Sequence, residues 1–317
     1  MPVEYLVTGG CGFIGSNIVR TLAKEGRPVR VLDNLATGNL LNIRDLIDQG
    51  IVEFQHGDIR SPDAAAKACE GIRYVLHLAA LPSVIGSVED PALSHAVNLD
   101  GVVNMLVAAR KAGAQRFVFS SSSAVYGDDP ELPKRENMLP APLSPYAVQK
   151  LSGEYYCRIF HGLYGLETFC LRYFNVFGPR QNPRSQYAAV VPLFIEAVKQ
   201  GRQPVVFGDG GQTRDFIYVG DIVRANLQCC RAPASAAGGV YNIAWGDRMT
   251  IKELAETVAK TMGHPEILAR HEPPRPGEIR DSQADTTQAK GVLGWTPQVP
   301  FVEGLKRTVE WFAHGVG

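Results

Sequence analysis

The feature that most constrains the fold of this chain is a glycine-rich turn directly behind a short apolar segment. The segment Val3–Val7 is followed by Thr8–Gly15, in which Gly9, Gly12 and Gly15 are the first, fourth and seventh residues counted from Gly9. Glycines at these places let the backbone turn tightly, leave no Cβ against a bound pyrophosphate and bring the next helix close to the strand. The pattern predicts a strand, a phosphate-binding turn and a helix whose N-terminus favours a negatively charged nucleotide.

The sequence that follows supports this interpretation of the turn. Apolar residues continue with helical spacing up to Gly26, and a second predicted strand, Val29–Leu32, ends on Asp33. An acidic residue at that place can accept hydrogen bonds from the adenosine ribose and repels a 2′-phosphate, so the sequence favours NAD over NADP as cofactor. Arg30 lies on the strand itself, and we place it outside the ribose site.

Composition narrows the class of protein. The chain has 317 residues, of which 45% are hydrophobic and 20% charged, enough to bury a sizeable core. Its 32 basic and 32 acidic residues cancel, so we expect neither a nucleic acid nor an acidic membrane as a partner. The glycine turn begins at residue 9, and no uninterrupted apolar run is long enough to span a bilayer. We therefore expect no cleaved leader and a cytoplasmic protein.

The cysteines and histidines do not predict a metal site. The six cysteines lack C-x-x-C spacing and mostly lie in apolar segments, which favours buried free thiols. The seven histidines have no ligand-like spacing, and we interpret all of them as structural or exposed.

Strand and helix patterns alternate through the first half of the chain, which indicates a parallel sheet with helices on both faces. Further strands are predicted at Ile51–Gln55, Arg73–Leu78, Arg116–Ser121 and Glu167–Tyr173, and long helices at Pro91–Ala112 and Ser144–Tyr164. Beyond residue 175 the predicted elements are helix 187–200, strands near 204–207 and 214–219, helix 221–231, strand 239–243, helix 250–262 and a helix from 301. We predict an α/β fold in which a Rossmann-type, doubly wound NAD-binding domain covers residues 1–175. A segment near 214–243 also contributes to it, and residues 176–317 form a smaller substrate lobe.

Candidate catalytic side chains follow the predicted carboxyl end of the sheet, where ligands of doubly wound sheets bind. The strand Arg116–Ser121 runs into Ser122, and Ser144–Pro145 predicts the start of a helix that places Tyr146 and Lys150 one turn apart on one face. An ammonium beside a phenol favours the phenolate, so the spacing predicts Tyr146 as a general base with a pKa well below its usual value of about 10. Two alternatives remain. A tyrosine that packs in the core beside a solvent-exposed lysine would show the same spacing as Tyr146 and Lys150, and Ser122 could simply be a polar residue at the end of a strand. The glycine turn favours the functional interpretation.

An ordered series of motifs runs along nearly the whole chain. The motifs are Thr8–Gly15, Asp33–Leu35, Gly57–Ile59, His77–Ala80, Ser120–Gly127, Tyr146–Lys150, Leu171–Gly178, Arg214–Phe216 and Arg275–Glu278. Together they resemble the extended short-chain dehydrogenase/reductases, and most closely the UDP-galactose 4-epimerase family, including its members acting on N-acetylated sugars. The series is very specific for the superfamily and less specific for the reaction. The resemblance implies an NAD-dependent UDP-hexose 4-epimerase.

The resemblance also implies roles for individual residues. The implied catalytic residues are Ser122, Tyr146 and Lys150. The implied cofactor contacts are Gly9, Gly12, Phe13, Ile14, Gly15, Asp33, Asn34, Gly38, Asp58, Ile59, Leu78, Ala79, Ala80, Asn98, Tyr146, Lys150 and Tyr173. The implied contacts to the UDP-sugar are Ser83, Ser122, Ser123, Tyr146, Asn175, Gln181, Ala189, Val190, Phe207, Arg214, Arg275, Glu278 and Ser282.

Within that substrate set the resemblance assigns the nucleotide to the second lobe. It implies that Arg214 and Arg275 bind the pyrophosphate, that Glu278 binds the uridine ribose and that Phe207 flanks uracil. A small residue at Ser282 leaves room for an N-acetyl group, where family members restricted to plain hexoses carry a bulky one. Alternatively, Ser282 is a turn residue that decides nothing.

The residues after Ser122 separate the reactions of the superfamily. Sugar nucleotide 4,6-dehydratases resemble this chain but carry an acid pair there, because eliminating water needs a further proton donor and base. This chain has Ser123 and Ala124, so we expect the 4-keto sugar to take its hydride back and the reaction to be an epimerisation.

A 4-keto sugar reductase and an NAD-sensing relative without turnover remain alternatives. Asp33 argues against the first, and the intact Ser122, Tyr146 and Lys150 argue against the second.

The two long predicted helices bear on the oligomeric state. Pro91–Ala112 and Ser144–Tyr164 resemble the family's pair of helices that packs against its twin, which implies a homodimer through a four-helix bundle. In the alternative, apolar residues such as Val102, Leu106 and Tyr156 face only their own sheet.

Overall fold

The computed structural model describes residues 2–183, 189–274 and 279–314, and its main element is a seven-stranded parallel sheet. In chain order the strands are β1 (Tyr5–Thr8), β2 (Val29–Asp33), β3 (Val52–His56), β4 (Tyr74–His77), β5 (Arg116–Ser122), β6 (Glu167–Tyr173), β7 (Asn175–Phe177), β8 (Val205–Phe207), β9 (Thr213–Arg214), β10 (Phe216–Tyr218), β11 (Gly239–Ile243), β12 (Met249–Thr250) and β13 (Arg270–Glu272). The sheet order is β11-β6-β5-β4-β1-β2-β3, with every neighbouring pair parallel. This doubly wound order confirms the predicted Rossmann-type α/β fold.

Helices cover both faces of that sheet. In chain order they are α1 (Phe13–Lys24), α2 (Arg44–Asp48), α3 (Pro62–Cys69), α4 (Val84–Glu89), α5 (Pro91–His95), α6 (Gly101–Lys111), α7 (Pro145–Tyr164), α8 (Val190–Lys199), α9 (Val219–Cys229), α10 (Ile251–Thr261), α11 (Thr287–Leu293) and α12 (Phe301–Ala313). α1 and α9 pack on one face, and α3, α6 and α7 on the other. Successive residues of β1 point to opposite faces, so Leu6 and Val7 enter two different apolar layers and both are fully buried.

The second half of the chain contributes to this sheet and also builds a smaller lobe. β11 pairs with β6 at the sheet edge. Strands β7 to β10, β12 and β13 form separate two-stranded pairs, and α8, α10 and α12 enclose their own apolar cluster around Phe194 and Leu254. The predicted strand 214–219 is two short strands with different partners, and Asp215 between them accepts hydrogen bonds from the N–H groups of Trp245, Gly246 and Ala284.

The helix predicted at Pro91–Ala112 is interrupted by a π turn at Ala96–Asp100. The wider turn contains Asn98, whose buried amide bonds outside the helix, and π turns commonly occur where a side chain has such a role. The other predicted boundaries differ by a few residues. The described part of the predicted helix 187–200 is Val190–Lys199, and the helix predicted at 221–231 is Val219–Cys229.

By length and composition, the stretch Pro91–Lys111 is apolar enough to cross a membrane. A core helix of an α/β layer passes the same test, and this stretch packs against α3 and α7 with Val102 and Leu106 fully buried. These two residues therefore face their own domain, whereas Tyr156, which the alternative interpretation placed with them, is 38% exposed. All six cysteines are free and buried, which confirms that prediction. Within the described residues, no group of three or more His, Cys, Asp or Glu could hold a metal ion.

Candidate active site

The glycine turn between β1 and α1 is shaped to receive a phosphate group. Gly9 has φ +68°, and a Cβ there would lie 2.9 Å from the Ala79 backbone. A Cβ at Gly15 would lie 2.1 Å from the Gly9 carbonyl oxygen. Gly12 precedes α1 without a side-chain cap, and no acidic residue lies in the first turn, which leaves the helix N-terminus for an anion. These residues fit the pyrophosphate of a dinucleotide.

Asp33 lies at the carboxyl end of β2, beside this turn. Its carboxylate accepts hydrogen bonds from the backbone N–H groups of Cys11 (2.9 Å) and Leu35 (2.8 Å), and the residue is buried. A carboxylate has about four acceptor positions, so Asp33 retains capacity for ribose hydroxyls. A Cβ at Gly38 would approach Asp33 Oδ1 to 3.2 Å, so this glycine keeps the approach open.

The predicted adenine side lies next to Asp33. Asn34 Nδ2 donates to Asp58 Oδ2 at 2.9 Å, which joins the ends of β2 and β3. The Arg60 guanidinium bonds the same carboxylate and holds the pKa of Asp58 well below its usual range. Ile59 is buried, and Asn104 binds its carbonyl oxygen.

The segment after β4 is held from two sides. Thr8 Oγ1 accepts from Leu78 N and Ala79 N, so its own hydrogen is donated to His77 Nδ1 at 2.8 Å. Two residues after Ala79, the amide of Asn98 bonds both backbone groups of Leu81, at 2.7 and 3.0 Å.

Asn98 also connects this segment to the predicted catalytic helix. Its Nδ2 donates to Gln149 Oε1 at 3.0 Å, and Gln149 lies on α7. The predicted cofactor segment and α7 are therefore joined through the π turn.

The catalytic helix α7 begins as the sequence predicts. The Ser144 hydroxyl accepts from Ala147 N at 3.2 Å, and Pro145 is the first helical residue. This places Tyr146 and Lys150 on the face toward the sheet, where both are buried. Ser122 is the last residue of β5, and its hydroxyl is hydrogen-bonded to Tyr146. Lys150 Nζ donates to the Ser120 carbonyl oxygen at 2.7 Å and lies 5.7 Å from the centre of the Tyr146 ring.

The predicted electrostatics of Tyr146 needs correction. Burial raises the pKa of Tyr146 above 10, and only its hydrogen bond with Ser122 lowers that pKa. Burial also lowers the pKa of Lys150 to about 8, which weakens the cation that was expected to act on the phenol. The prediction that Lys150 brings the pKa of Tyr146 well below its usual value is therefore wrong for the protein alone.

A cavity of about 390 Å³ is lined by two of the three predicted catalytic residues, Ser122 and Tyr146, and Lys150 lies behind it. The predicted site residues that line it are Ile14, Ser122, Tyr146, Tyr173, Asn175, Ala189 and Val190. The lining residues that the sequence did not predict are Pro82, Ser121, Phe174, Val176, Val191 and Phe216. Most of the latter adjoin a predicted residue in the chain, so adjacency was the available signal. The cavity joins the NAD turn, through Ile14, to the end of β5 and the start of α8.

The other predicted substrate residues lie outside this lining. The Ser83 hydroxyl caps α4 by accepting from Gly86 N, and Ser123 begins the short helical turn after β5. Gln181 Nε2 donates to the Val176 carbonyl at 3.1 Å.

Two of the predicted nucleotide contacts, Phe207 and Arg214, lie among the described residues of the second half of the chain. Phe207 ends β8, and Arg214 Nη1 donates to the carbonyl oxygens of Thr213 (2.8 Å) and Arg280 (3.3 Å). Ser282 lies half-buried between Arg280 and α11. Arg275 and Glu278 fall outside the described residues.

Comparison with known proteins places this geometry among nucleotide-sugar enzymes. The family described as NAD dependent epimerase/dehydratase matches residues 5–244. A curated UDP-glucose 4-epimerase from Mycolicibacterium smegmatis is 41% identical over 310 residues, 97% of this chain and 97% of that protein.

Solved structures agree with that family. The chain is similar to the UDP-N-acetylglucosamine 4-epimerase from Methanobrevibacter ruminantium in complex with UDP-N-acetylmuramic acid, with a TM-score of 0.93, 40% identity and 99% of each chain covered. It is also similar to the UDP-glucose 4-epimerase of Thermus thermophilus in complex with NAD, with a TM-score of 0.85 and 38% identity over 98% of this chain and 99% of that one. These likenesses confirm the predicted resemblance and the predicted NAD cofactor.

Proposed function

We propose that this chain, which belongs to the NAD dependent epimerase/dehydratase family and is an isomerase of the nucleotide-sugar 4-epimerase type, inverts C4 of UDP-hexoses through a 4-keto sugar. The observation that carries the proposal is a cavity that is lined by Ser122 and Tyr146 and reaches the NAD turn through Ile14, with Lys150 behind it, 5.7 Å from the centre of the Tyr146 ring. A base, a hydroxyl partner and a redox cofactor at one sugar carbon are what oxidation and re-reduction of a secondary alcohol require.

The residues divide the proton chemistry between them. When bound, NAD supplies a hydride acceptor that later returns the hydride, and a positively charged ring. Tyr146 takes the proton of the C4 hydroxyl, and Ser122 orients that hydroxyl through its bond to Tyr146. Lys150, anchored on the Ser120 carbonyl, supplies a positive charge below the phenol. After the 4-keto sugar has turned its other face toward the cofactor, Tyr146 returns its proton to O4.

The cavity lining supports epimerisation over dehydration. Dehydration needs an additional acid and base beside the sugar. The positions after Ser122 are Ser123 and Ala124, and none of the described residues that line the cavity carries a carboxyl group. The lining therefore offers no carboxyl group that could help a 4-keto sugar to lose water or carbon dioxide.

The sugar preference is proposed from the size of the lining residues. Ala189 and Ser122 in the lining are small. Outside the lining, Ser282 is also small, and the resemblance places it where family members restricted to plain hexoses carry a bulky residue. We propose that the protein accepts UDP-GlcNAc and UDP-GalNAc as well as UDP-glucose and UDP-galactose. The second lobe holds UDP through Phe207, Arg214, Arg275 and Glu278, while the hexose is bound loosely enough to turn.

We propose that the protein is a cytoplasmic homodimer formed through the outer face of α7. Val148, Tyr155, Ile159 and Leu163 recur on one face of this helix and are each at least 48% exposed. α4 and α5 add further exposed apolar side chains, namely Val84, Ile85, Val88 and Leu93. An apolar area of this extent next to a long helix is typical of a protein interface.

The test is turnover by the purified protein without added NAD. We expect UDP-glucose to convert to UDP-galactose, and UDP-GlcNAc to UDP-GalNAc, with no net formation of NADH. Deuterium placed at C4 should stay at C4, because the hydride returns to the carbon that it left. A need for added NADPH would indicate a 4-keto sugar reductase, and absence of turnover with every sugar nucleotide would indicate an NAD sensor.

A further inference from the structure

The catalytic helix and the end of β5 are joined by a ladder of contacts that extends below Lys150. Tyr146, Lys150 and Glu154 are spaced four residues apart, so all three lie on the face of α7 toward the sheet. Tyr146 bonds the Ser122 hydroxyl, and Lys150 Nζ donates to the Ser120 carbonyl oxygen. Glu154 completes the ladder, because its carboxylate accepts a short hydrogen bond from the Ser121 hydroxyl.

Glu154 is fixed by a bidentate ion pair. Arg172 on β6 donates from Nε to Oε1 at 2.8 Å and from Nη2 to Oε2 at 2.7 Å. Each side chain is only 4% exposed, and the Arg172 guanidinium also lies 4.7 Å from the centre of the Tyr126 ring. A buried pair of this kind often stabilises a protein no more than apolar residues of equal volume do. Its place beneath the catalytic residues therefore points to a role other than stability.

We propose that Glu154, held by Arg172, is a positioning residue of the catalytic site. It fixes Ser121 so that Ser122 meets Tyr146, and its charge keeps Lys150 cationic. Glu154 is not among the residues that line the cavity, so it acts through Ser121 and Lys150 and not on the sugar. The inference rests on the proposed function, because turnover is its main readout.

The surroundings of Lys150 make the charge of Glu154 important. Burial lowers the pKa of Lys150 to about 8, while Cys157 and Glu154 raise it. The titratable and charged groups around it are Tyr146, Glu154 and Cys157 on α7, His77 on β4 and, behind Glu154 and Cys157, Arg172 and Cys170 on β6. Glu154 is the carboxylate among these groups, and the buried His77 stays neutral because its pKa is lowered to about 3. Without Glu154, Lys150 loses its proton at a lower pH.

The decisive variant is Glu154→Gln, which keeps the shape of the side chain and removes its charge. We expect the high-pH limb of the pH profile of kcat to move down by about one unit, the size of shift that one nearby charge causes, so that kcat on that limb falls about tenfold. KM for UDP-glucose should change less than about twofold, because the sugar does not touch this residue. A pH profile and kcat that coincide with those of the wild type would overturn the inference.

A matched control lies at the other end of the same two strands. Arg116 on β5 donates to Glu167 on β6 at 2.7 Å, and this pair is also largely buried. Glu167→Gln therefore removes the same charge from the same sheet, far from α7's catalytic turn. We expect its kcat and its pH profile to match those of the wild type. If Glu167→Gln shifts the profile as much as Glu154→Gln does, the role assigned to Glu154 is wrong.

Two further variants separate position from charge. Ser121→Ala removes the contact to β5 and should lower kcat without moving the pH profile. If Glu154→Gln does not fold because Arg172 loses its counterion, the double variant Glu154→Gln/Arg172→Gln removes both charges and should move the profile in the same direction by a smaller amount, because the loss of the more distant cation opposes the loss of the carboxylate. A double variant that folds and keeps the wild-type profile would refute the inference.

A second readout keeps this inference distinct from the proposed function. The Lys150 side chain can be titrated by NMR with 13Cε-labelled lysine, its resonance assigned with Lys150→Met. We expect the Lys150 pKa to be lower in Glu154→Gln than in the wild type, whatever the substrate. An inactive wild type with a shifted Lys150 titration contradicts only the proposed function, whereas equal titrations contradict the inference about Glu154.

Discussion

The substitution Gly15→Ala, which adds one methyl group, should weaken the binding of NAD. A Cβ at this position would lie 2.1 Å from the Gly9 carbonyl oxygen and 2.9 Å from Gly10 Cα, about 1.3 Å short of ordinary contact with the oxygen. The Gly9 segment cannot retreat easily, because its N–H is bonded to Leu32 and its carbonyl accepts from Gly12 N at 3.0 Å. The N-terminus of α1 must therefore move by about 1 Å in Gly15→Ala.

In a site whose groups must be precisely oriented, a displacement of about 1 Å can weaken function on the order of 100-fold. We accordingly expect the Kd for NAD to rise about 100-fold, which is about 2.8 kcal/mol. The fold should lose only about 1–3 kcal/mol, as is usual for overpacking. Gly291→Ala is the control, because Gly291 lies in α11 where a Cβ meets nothing within 4 Å, and alanine there should stabilise the helix slightly.

The assay is calorimetric titration of NAD into protein freed of nucleotide, with thermal unfolding measured in parallel. Gly291→Ala should bind NAD as the wild type does. If folded Gly15→Ala binds NAD as tightly as the wild type, the turn is not the phosphate site and the reasoning fails.

Three further predictions concern α7 and a buried ring. Tyr146→Phe should lower epimerisation about 10³-fold in a product assay with NAD binding intact, and an active variant would exclude Tyr146 as the base. Ile159→Glu should give monomers in sedimentation velocity, and a monomeric wild type would disprove the interface. Burial lowers the pKa of His77 to about 3. Between this pKa and the usual value of about 6.5, His77 is therefore protonated in the unfolded chain but not in the native chain. The free energy of unfolding from this group should therefore fall as the pH drops from about 6.5 toward 3. His77→Gln should lose less stability in urea between about pH 7 and 4, and equal losses would contradict this assignment.

Elements decided by neighbouring residues could be predicted from the sequence. Gly9 adopts the positive φ that its turn requires, and Ser144–Pro145 caps and starts α7 as expected. The spacing of Tyr146 and Lys150 then fixed their common face without any knowledge of the sheet. In each case the deciding atoms lie within a few residues of one another.

Features that depend on distant partners could not be predicted. The π turn within Pro91–Lys111 exists because Asn98 bonds Leu81 and Gln149, and an apolar periodicity does not reveal such bonds. The raised pKa of Tyr146 follows from how deeply the sheet buries it, which the helical spacing alone does not contain.

The ion pair below the catalytic residues was missed for a similar reason. The four-residue spacing from Tyr146 through Lys150 continues to Glu154, and this was the available signal. Its partner Arg172 lies on another element, and only the packing of α7 on β6 brings the two together.

The buried thiols can report local opening of the native structure. Each cysteine is shielded from solvent, so a thiol reagent can label it only when the surrounding segment opens. The thiols sample different places, namely the cofactor turn (Cys11), α3 (Cys69), α7 (Cys157), β6 (Cys170) and the end of α9 (Cys229 and Cys230). Labelling rates resolved by peptide mass would therefore rank how often each layer of the molecule opens, without introducing any foreign probe residue.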